Sequence, residues 1–152
     1  MRIRVTLSTI AILAVVLASG IPAIAHHSQA LYFDISKTIT VQGEIARVDW
    51  INPHILVYVQ SKNEKGEMET WILQGSSLGN ANRQVGLKEA LKPGTLVSAR
   101  VNPPRNPLYV NDAQTVLLAR PEDSRKNSHI VAGGEIRLPN GDIQTVGGGP
   151  KF

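Results

Sequence analysis

Residues 39–50 of the chain read ITVQGEIARVDW. The first half of this stretch alternates in the manner of a β-strand with one buried face. The residues on that face are Ile39, Val41, Gly43 and Ile45. The apolar positions then move to the even numbers Val48 and Trp50. One extra residue near Ala46 and Arg47 accounts for this change of phase, so we predict a β-bulge that bends one long strand.

Working outward from this strand, similar patterns predict four more strands, at 55–60, 68–73, 96–101 and 108–119. A short helix is predicted between the third and fourth strands, with Ser76 or Ser77 as its cap and Gly86 just past its end. Its apolar residues at helical spacing are Leu78, Ala81 and Val85. This order predicts an all-β protein with one short helix, a small five-stranded OB-like Greek-key barrel. A β-sandwich is the alternative.

The strand pattern also predicts the core and the domain boundaries. We expect the Leu78 helix to close one end of the barrel. We assign residues 26–120 to the barrel and 121–152 to a flexible C-terminal tail, because glycines flank a possible hairpin around Asn140. Six side chains are expected in one core: Val41, Ile45, Val57, Ile72, Val97 and Val116.

Residues 1–25 have the features of a secretory signal peptide. Arg2 and Arg4 precede an apolar run that is too short to span a bilayer, and the Ala23-Ile24-Ala25 triplet fits a signal peptidase. Cleavage after Ala25 predicts a periplasmic or secreted protein without membrane insertion; an uncleaved anchor is the alternative. Cleavage would also remove two arginines and lower the formal net charge from +4 to +2.

Composition and missing motifs exclude several classes of function. The chain has no cysteine, which excludes a disulfide framework, a thiolate zinc site, an iron-sulfur cluster and a Cys nucleophile. Acidic and basic residues are interspersed, which argues against a nucleic-acid partner. The sequence contains no Gly-x-Ser-x-Gly, phosphate-binding loop or His-Glu-x-x-His motif. We therefore predict that the protein is not an enzyme.

Cleavage after Ala25 would create a candidate metal site at the new terminus. The free amine and the Nδ1 atom of His26 can form a chelate ring on Cu(II). His54 or, with less suitable geometry, His27 would supply a second imidazole. The alternative interpretation is that His26 and His27 form a solvated terminus.

Carboxylates near His54 are candidates to accept the second ring N–H of a metal-bound histidine. These are Asp34, Glu44 and Asp49. Asp49 has an alternative role as a solvent-facing charge on the bend. His54 also has one, since its imidazole can form a hydrogen bond across the corner that Asn52-Pro53 creates. His129, in a polar segment, is expected to be solvated.

Aromatic residues offer a different kind of candidate surface. OB-folds bind oligosaccharides and oligonucleotides on stacking surfaces, for which the candidates here are Trp50, Trp71, Tyr58 and Tyr109. Trp50 follows Val48 in phase, however, and is expected to fill the core.

Several short motifs between His26 and Ala119 resemble those of one protein family. They are His26-His27-Ser28, Tyr32-Phe33-Asp34, Gly43-Glu44-Ile45, Asp49-Trp50-Ile51-Asn52-Pro53-His54, Trp71 and Leu91-Lys92-Pro93-Gly94. Together they resemble a family of secreted bacterial proteins, the domain-of-unknown-function family numbered 6152. The Trp-x-Asn-Pro-His string is the most specific of them. The resemblance implies a periplasmic location and a shared small β domain, and it implies no activity.

Two functions of different classes fit these patterns. The first is a periplasmic binding or interaction module that contacts an envelope protein or a small polar ligand through its loops. The second is a copper-binding protein that uses His26 with His54 or His27. An extra residue ahead of His26 would destroy the chelate and leave a loop interface intact, so this change distinguishes the two.

Overall fold

The computed structural model describes residues 29–105 and 128–152. Its elements are, in chain order, α1 (Gln29–Tyr32), β1 (Ile39–Asp49), β2 (Leu56–Lys62), β3 (Met68–Gln74), α2 (Leu78–Asn82), α3 (Leu87–Ala90), β4 (Leu96–Asn102), β5 (Ser128–Arg137) and β6 (Ile143–Thr145). Several predictions lie outside the described residues: the leader at 1–25, His26, His27, the strand at 108–119, Tyr109 and Val116. Among the described helices, none is long and apolar enough to cross a membrane.

Five strands close into a mixed β-barrel. Antiparallel pairs join β3 to β2, β2 to β1, β1 to β4 and β4 to β5, and a parallel pair between β3 and β5 completes the ring. β6 forms an antiparallel pair with the second half of β5. The prediction of an all-β fold with only short helical segments is therefore confirmed. The β-sandwich alternative is wrong, because β3 and β5 are hydrogen-bonded to each other.

The predicted bulge in β1 is confirmed and explains how one strand serves two neighbours. The pairing of β1 with β2 shifts register between Ile45 and Arg47, which leaves Ala46 as the extra residue. A bulge bends its strand and increases the local twist. Gly43 permits the close approach of β1 and β2 just before the bulge, since a Cβ atom there would overlap the carbonyl oxygen of Gln60.

An aliphatic core fills the barrel interior. Four of the six predicted core residues belong to it: Val41, Ile45, Val57 and Val97. Trp50 is partly buried against this core, as the sequence predicts. α2 and α3 contribute Ala81 and Leu87 to it, and Leu78 packs against it. These helical residues lie in the connection between β3 and β4.

Ile72 is buried, but the prediction that it belongs to the interior core is wrong. Its neighbours Trp71 and Leu73 take the interior side of β3, so strand alternation turns Ile72 to the opposite face. A second buried cluster forms there from Phe33, Leu56, Tyr58, Ile72, Ile130 and Ala132. The barrel wall therefore carries buried apolar side chains on both faces at β2, β3 and β5.

The helical interval is divided into two short helices instead of one. Ser77 caps α2 as predicted, with its hydroxyl accepting from Asn80 N at 3.3 Å. Gly86 has a left-handed φ of 78°, but it precedes α3 and does not simply end α2. Val85 is fully exposed, so its predicted place on the apolar helical face is wrong. The reason is that α2 ends at Asn82, before the chain reaches Val85.

The C-terminal segment forms part of the barrel instead of a loosely held tail. β5 lies between β3 and β4, in the place that the sequence pattern assigns to a strand at 108–119. Val131, Ile136 and Val146 are buried in the interior core. β5 and β6 form a hairpin, and Gly141 adopts a φ of 91° in its turn. The barrel thus extends well past the predicted boundary at residue 120.

Glycines on either side of this hairpin are sites of close backbone packing, which corrects the prediction of flexible chain. A Cβ atom on Gly134 would overlap the carbonyl oxygen of Pro150. Glu135 N donates to Pro150 O at 3.0 Å, and Gly149 N donates to Gly133 O at 3.0 Å. These glycines let the end of the chain lie directly against β5.

Candidate ligand-binding site at the barrel mouth

Four side chains meet where β2 ends and where β3 and β5 begin. We call them the mouth cluster: Ser61, Glu69, Trp71 and His129. Ser61 lies opposite Glu69 in the pairing of β2 with β3, and Trp71 lies opposite His129 in the pairing of β3 with β5. Glu69 and Trp71 are separated by two-residue steps from the interior core residue Leu73, and His129 by two residues from Val131, so these side chains share the inward-facing side of the strands.

The carboxylate of Glu69 connects the mouth cluster. Its Oε1 atom accepts from Trp71 Nε1 at 2.8 Å and from Ser61 Oγ at 3.0 Å. Its Oε2 atom lies 3.2 Å from His129 Nε2. Because an ionised carboxylate only accepts hydrogen bonds, this contact assigns a proton to Nε2 of His129. In the neutral ring the lone pair is then on Nδ1.

The indole of Trp71 fixes the plane of the His129 ring. The ring centroids are 4.4 Å apart with an interplanar angle of 30°. Trp71 also packs against the interior core, so the stack rests on a rigid support. The side chain of Glu69 is 16% exposed and that of His129 is 42% exposed. The sequence prediction of a solvated His129 is therefore corrected to a half-exposed ring that is held by two neighbours.

His54 occupies the corner between β1 and β2, after a cis Asn52-Pro53 peptide bond. Its Nδ1 atom lies 3.0 Å from the carbonyl oxygen of Gly75. A carbonyl oxygen only accepts, so Nδ1 carries the proton in this contact. The hydrogen bond across the corner, which the sequence offers as the alternative to a metal ligand, is thus present.

The carboxylates predicted near His54 have other partners. Asp34 accepts from Ser36 Oγ at 2.6 Å and pairs with Lys37 Nζ at 3.2 Å. Hydrogen bonds from Ser36 and then Lys37 hold the pKa of Asp34 below its ordinary value. Glu44 is exposed on β1.

Asp49 is held on the bend by Arg47 of the same strand and by Tyr58 of the neighbouring β2. Its Oδ2 atom accepts from Tyr58 Oη at 3.2 Å, and its Oδ1 atom lies 3.3 Å from Arg47 Nε. The guanidinium of Arg47 lies over the Tyr58 ring at 3.9 Å.

Residues 29–105 and 128–152 contain no group of three or more side chains suited to hold a metal ion. The copper site stays a prediction, since it depends on His26 and His27.

The predicted aromatic surface does not form from the described members of its set. Tyr58 is buried in the second cluster, and Trp50 packs partly against the interior core. Lys88 Nζ lies 5.3 Å from the centroid of the Trp50 ring. Trp71 instead stacks on His129, a residue that the sequence analysis did not include in this set.

Comparison with known proteins gives one match. A family of unknown function, DUF6152, matches residues 13–110. The chain belongs to this family. The DUF6152 match confirms the resemblance of the sequence motifs, and it includes Ser61, Glu69 and Trp71 but ends before His129. No curated protein and no solved structure matches the chain.

Proposed function

We propose that this DUF6152 protein is a small extracytoplasmic binding module that takes a hydroxyl-rich ligand at the mouth cluster. The observation that carries the proposal is the convergence of Ser61, Trp71 and His129 on the carboxylate of Glu69, beside a half-exposed imidazole. Small-molecule sites have few polar groups in fixed positions on an otherwise apolar support. Glu69 and Trp71 supply such a fixed position for His129.

The chemistry of the cluster favours hydroxyl groups over strongly charged ligands. The carboxylate and the Nδ1 atom of neutral His129 accept hydrogen bonds, and the exposed face of its ring is flat. A free anion would meet the negative charge of Glu69. An oligosaccharide offers hydroxyl donors together with apolar C–H faces, so it matches both features.

The strand arrangement supports an OB-like interpretation of the barrel. The ring order β1-β2-β3-β5-β4, with helices between β3 and β4, agrees with the five-stranded Greek-key barrel that the sequence predicts. In OB-folds the face formed by strands two and three binds oligosaccharides and oligonucleotides. Three members of the mouth cluster lie on those two strands here.

The leader-like residues 1–25 support secretion to the periplasm, where a free oligosaccharide or an envelope protein is a suitable partner.

Fluorescence can test the proposal because the chain has only two tryptophans. A Trp50→Phe variant leaves Trp71 as the reporter. We expect a saturable change in its emission on titration with the neutral probes cellohexaose and N-acetylchitohexaose. Loss of one hydrogen bond of about 1 kcal/mol weakens binding roughly fivefold, which is the change expected for His129→Gln in that background.

The matched control is Glu64→Gln, which alters an exposed acid in the turn between β2 and β3 without touching the cluster. We expect unchanged affinity in this control and weaker binding in Glu69→Gln. A folded Trp50→Phe protein that gives no saturable change with either probe would reject the oligosaccharide site. Equal affinity in Glu64→Gln and Glu69→Gln would also contradict it.

Cu(II) binding is a second candidate function, favoured by the contact of His54 with Gly75. A metal-bound histidine commonly donates its other ring N–H to a carbonyl or a carboxylate. Donation from Nδ1 to Gly75 O leaves the lone pair of the neutral His54 ring on Nε2. The test uses exported protein whose intact mass shows that it begins at His26. Cu(II) affinity should fall strongly in His54→Ala and after addition of one residue ahead of His26, and equal affinities would reject this candidate.

A further inference from the structure

A second surface, separate from the mouth cluster, is a groove at β1, β4 and the turn between β5 and β6. Its volume is about 330 Å³, within the range of small-molecule pockets. Apolar walls come from Leu96, Val97, Leu138 and Pro139. Leu96 is 63% exposed, so its side chain is accessible to a ligand in the groove.

A polar row borders these apolar walls. Gln42 lies opposite Ser98 in the pairing of β1 with β4, and Ser98 lies opposite Arg137 in the pairing of β4 with β5. Arg137 is the charged residue among the described residues that line the groove. The exposed Glu44 lies opposite Leu96, in the row beyond. An anion is therefore attracted to the Arg137 row and repelled from the Leu96 row.

Phe152 holds the guanidinium of Arg137 in place. The guanidinium carbon lies 4.0 Å from the Phe152 ring centroid, and that of Arg100 lies 5.8 Å from the same centroid. Phe152 N donates to Glu135 Oε2 at 2.7 Å, which anchors the residue that carries the ring. Stacking occupies a face of the guanidinium, whereas its N–H donors point outward in the plane.

Within the part of the chain that the structure describes, Arg137 pairs with no carboxylate, so no ion pair there neutralises its charge. A guanidinium that is oriented in advance loses less entropy when it binds an anion. The groove thus combines an apolar trough with one positioned cation at its polar row.

We propose that this groove binds a free medium-chain aliphatic carboxylate. The alkyl chain lies along Leu96, Leu138 and Pro139, and the carboxylate accepts two N–H bonds from Arg137. A groove of about 330 Å³ holds a chain of roughly eight to ten carbons, if each carbon group takes about the volume of a water molecule. The single cation matches a monoanion, and the apolar walls disfavour the hydroxyl-rich ligands proposed for the mouth cluster.

Calorimetry with three probes tests this site: octanoate, octanol and acetate, each added to the protein as exported. We expect saturable binding of octanoate, at least roughly tenfold weaker binding of octanol, and no measurable binding of acetate. Arg137→Gln should reduce octanoate affinity to the level of octanol. The matched control is Arg83→Gln at the end of α2, whose side chain contacts Asn80 and not the groove.

Two further variants separate the parts of the site. Leu96→Gln should weaken octanoate and octanol alike, because it changes the wall and not the cation. Phe152→Leu should weaken octanoate alone, because it removes the stacking partner of Arg137. Thermal unfolding checks that each variant is folded.

The proposal is overturned by any of three results. The first is that octanoate fails to bind the folded wild-type protein, and the second is that it binds Arg137→Gln and Arg83→Gln equally. The third is that an acidic peptide binds through Arg137 and its affinity does not change in Leu96→Gln. This result would identify the groove as a peptide contact. Unchanged octanoate affinity in His129→Gln, the variant expected to bind oligosaccharides more weakly, keeps this site distinct from the mouth cluster.

Discussion

The corner at His54 and the mouth cluster each hold a histidine at an end of a barrel strand, but with different partners. At the corner, the imidazole donates to the backbone carbonyl of Gly75. At the mouth, the ring of His129 contacts the Glu69 carboxylate and stacks on Trp71. A backbone carbonyl cannot be removed by a substitution. Each member of a side-chain network can be replaced singly, which makes the mouth the more informative place to test function.

The two sites also depend on different parts of the chain. His54, just before β2, contacts the carbonyl oxygen of Gly75, just past the end of β3. His129 reaches Glu69 across a sequence separation of 60 residues, through the parallel pairing of β3 with β5. The mouth cluster therefore exists only when β5 is in place.

The largest effect is expected from Ile136→Ala, which removes a fully buried side chain of β5. Truncation of a buried isoleucine costs about 2 to 5 kcal/mol, because both burial and packing are lost. Urea unfolding measures this loss. Ile143→Ala on β6 is the control, since Ile143 is 45% exposed and should lose much less. Equal small losses in both variants would mean that β5 is a dispensable tail.

Much of the first half of the fold is predictable from local pattern. Val41 and Ile45 alternate clearly, and the change of phase at Ala46 predicts the bulge that the pairing shows. Ile72 is assigned to the wrong face because it lies in a run of apolar residues, where both faces of the strand are buried and alternation gives no direction. The family resemblance is confirmed over residues 13–110.

The strand that closes the barrel, β5, and the mouth cluster could not be predicted from the sequence, for physical reasons. Gly133 and Gly134 are typical of flexible chain in a sequence, yet here they allow the backbone of Pro150 to approach β5. The contact of His129 with Glu69 depends on a long-range register that no local pattern encodes. By contrast, the hydrogen bond of His54 is predictable, because Asn52-Pro53 indicates a turn beside it.

The next largest loss of stability is expected at Glu69, and its coupling with His129 shows whether the mouth cluster is one connected network or a set of independent contacts. Glu69→Ala removes the acceptor of His129 and one of the two acceptors of Trp71 Nε1, whose other acceptor is Ser61 Oγ at 3.1 Å, so we expect a loss of about 1 to 3 kcal/mol in unfolding free energy. Glu64→Ala provides a matched exposed control. A double-mutant cycle with His129→Ala should give a coupling energy above about 0.5 kcal/mol. Strict additivity would show that Glu69 and His129 do not interact.

A smaller loss of stability is expected for a substitution of His54, at the corner between β1 and β2. His54→Ala removes the hydrogen bond to Gly75 O, and this bond by itself contributes about 0.5 to 1.5 kcal/mol. His54→Asn is the informative partner variant, because its amide can donate near the same carbonyl. Urea unfolding should show a smaller loss for Asn than for Ala. Loss of ligand binding at the mouth in His54→Ala, with the fold intact, would contradict the independence of the two sites.

The smallest change in stability is expected for a substitution at Asp34, a carboxylate whose described partners are Ser36 and Lys37. Hydrogen bonds from Ser36 and Lys37 lower its pKa in the folded protein. Stabilisation from such a group is present above the unfolded value of 3.8 and is lost as the pH falls through the lower folded value. Asp34→Asn should therefore reduce stability slightly at neutral pH and have no effect in stronger acid. Unfolding curves of both proteins across this acid range measure the difference. The prediction is contradicted if the difference in unfolding free energy between the two proteins grows as the pH falls. Such a result would mean that folding raises the pKa of Asp34 and favours its protonated form.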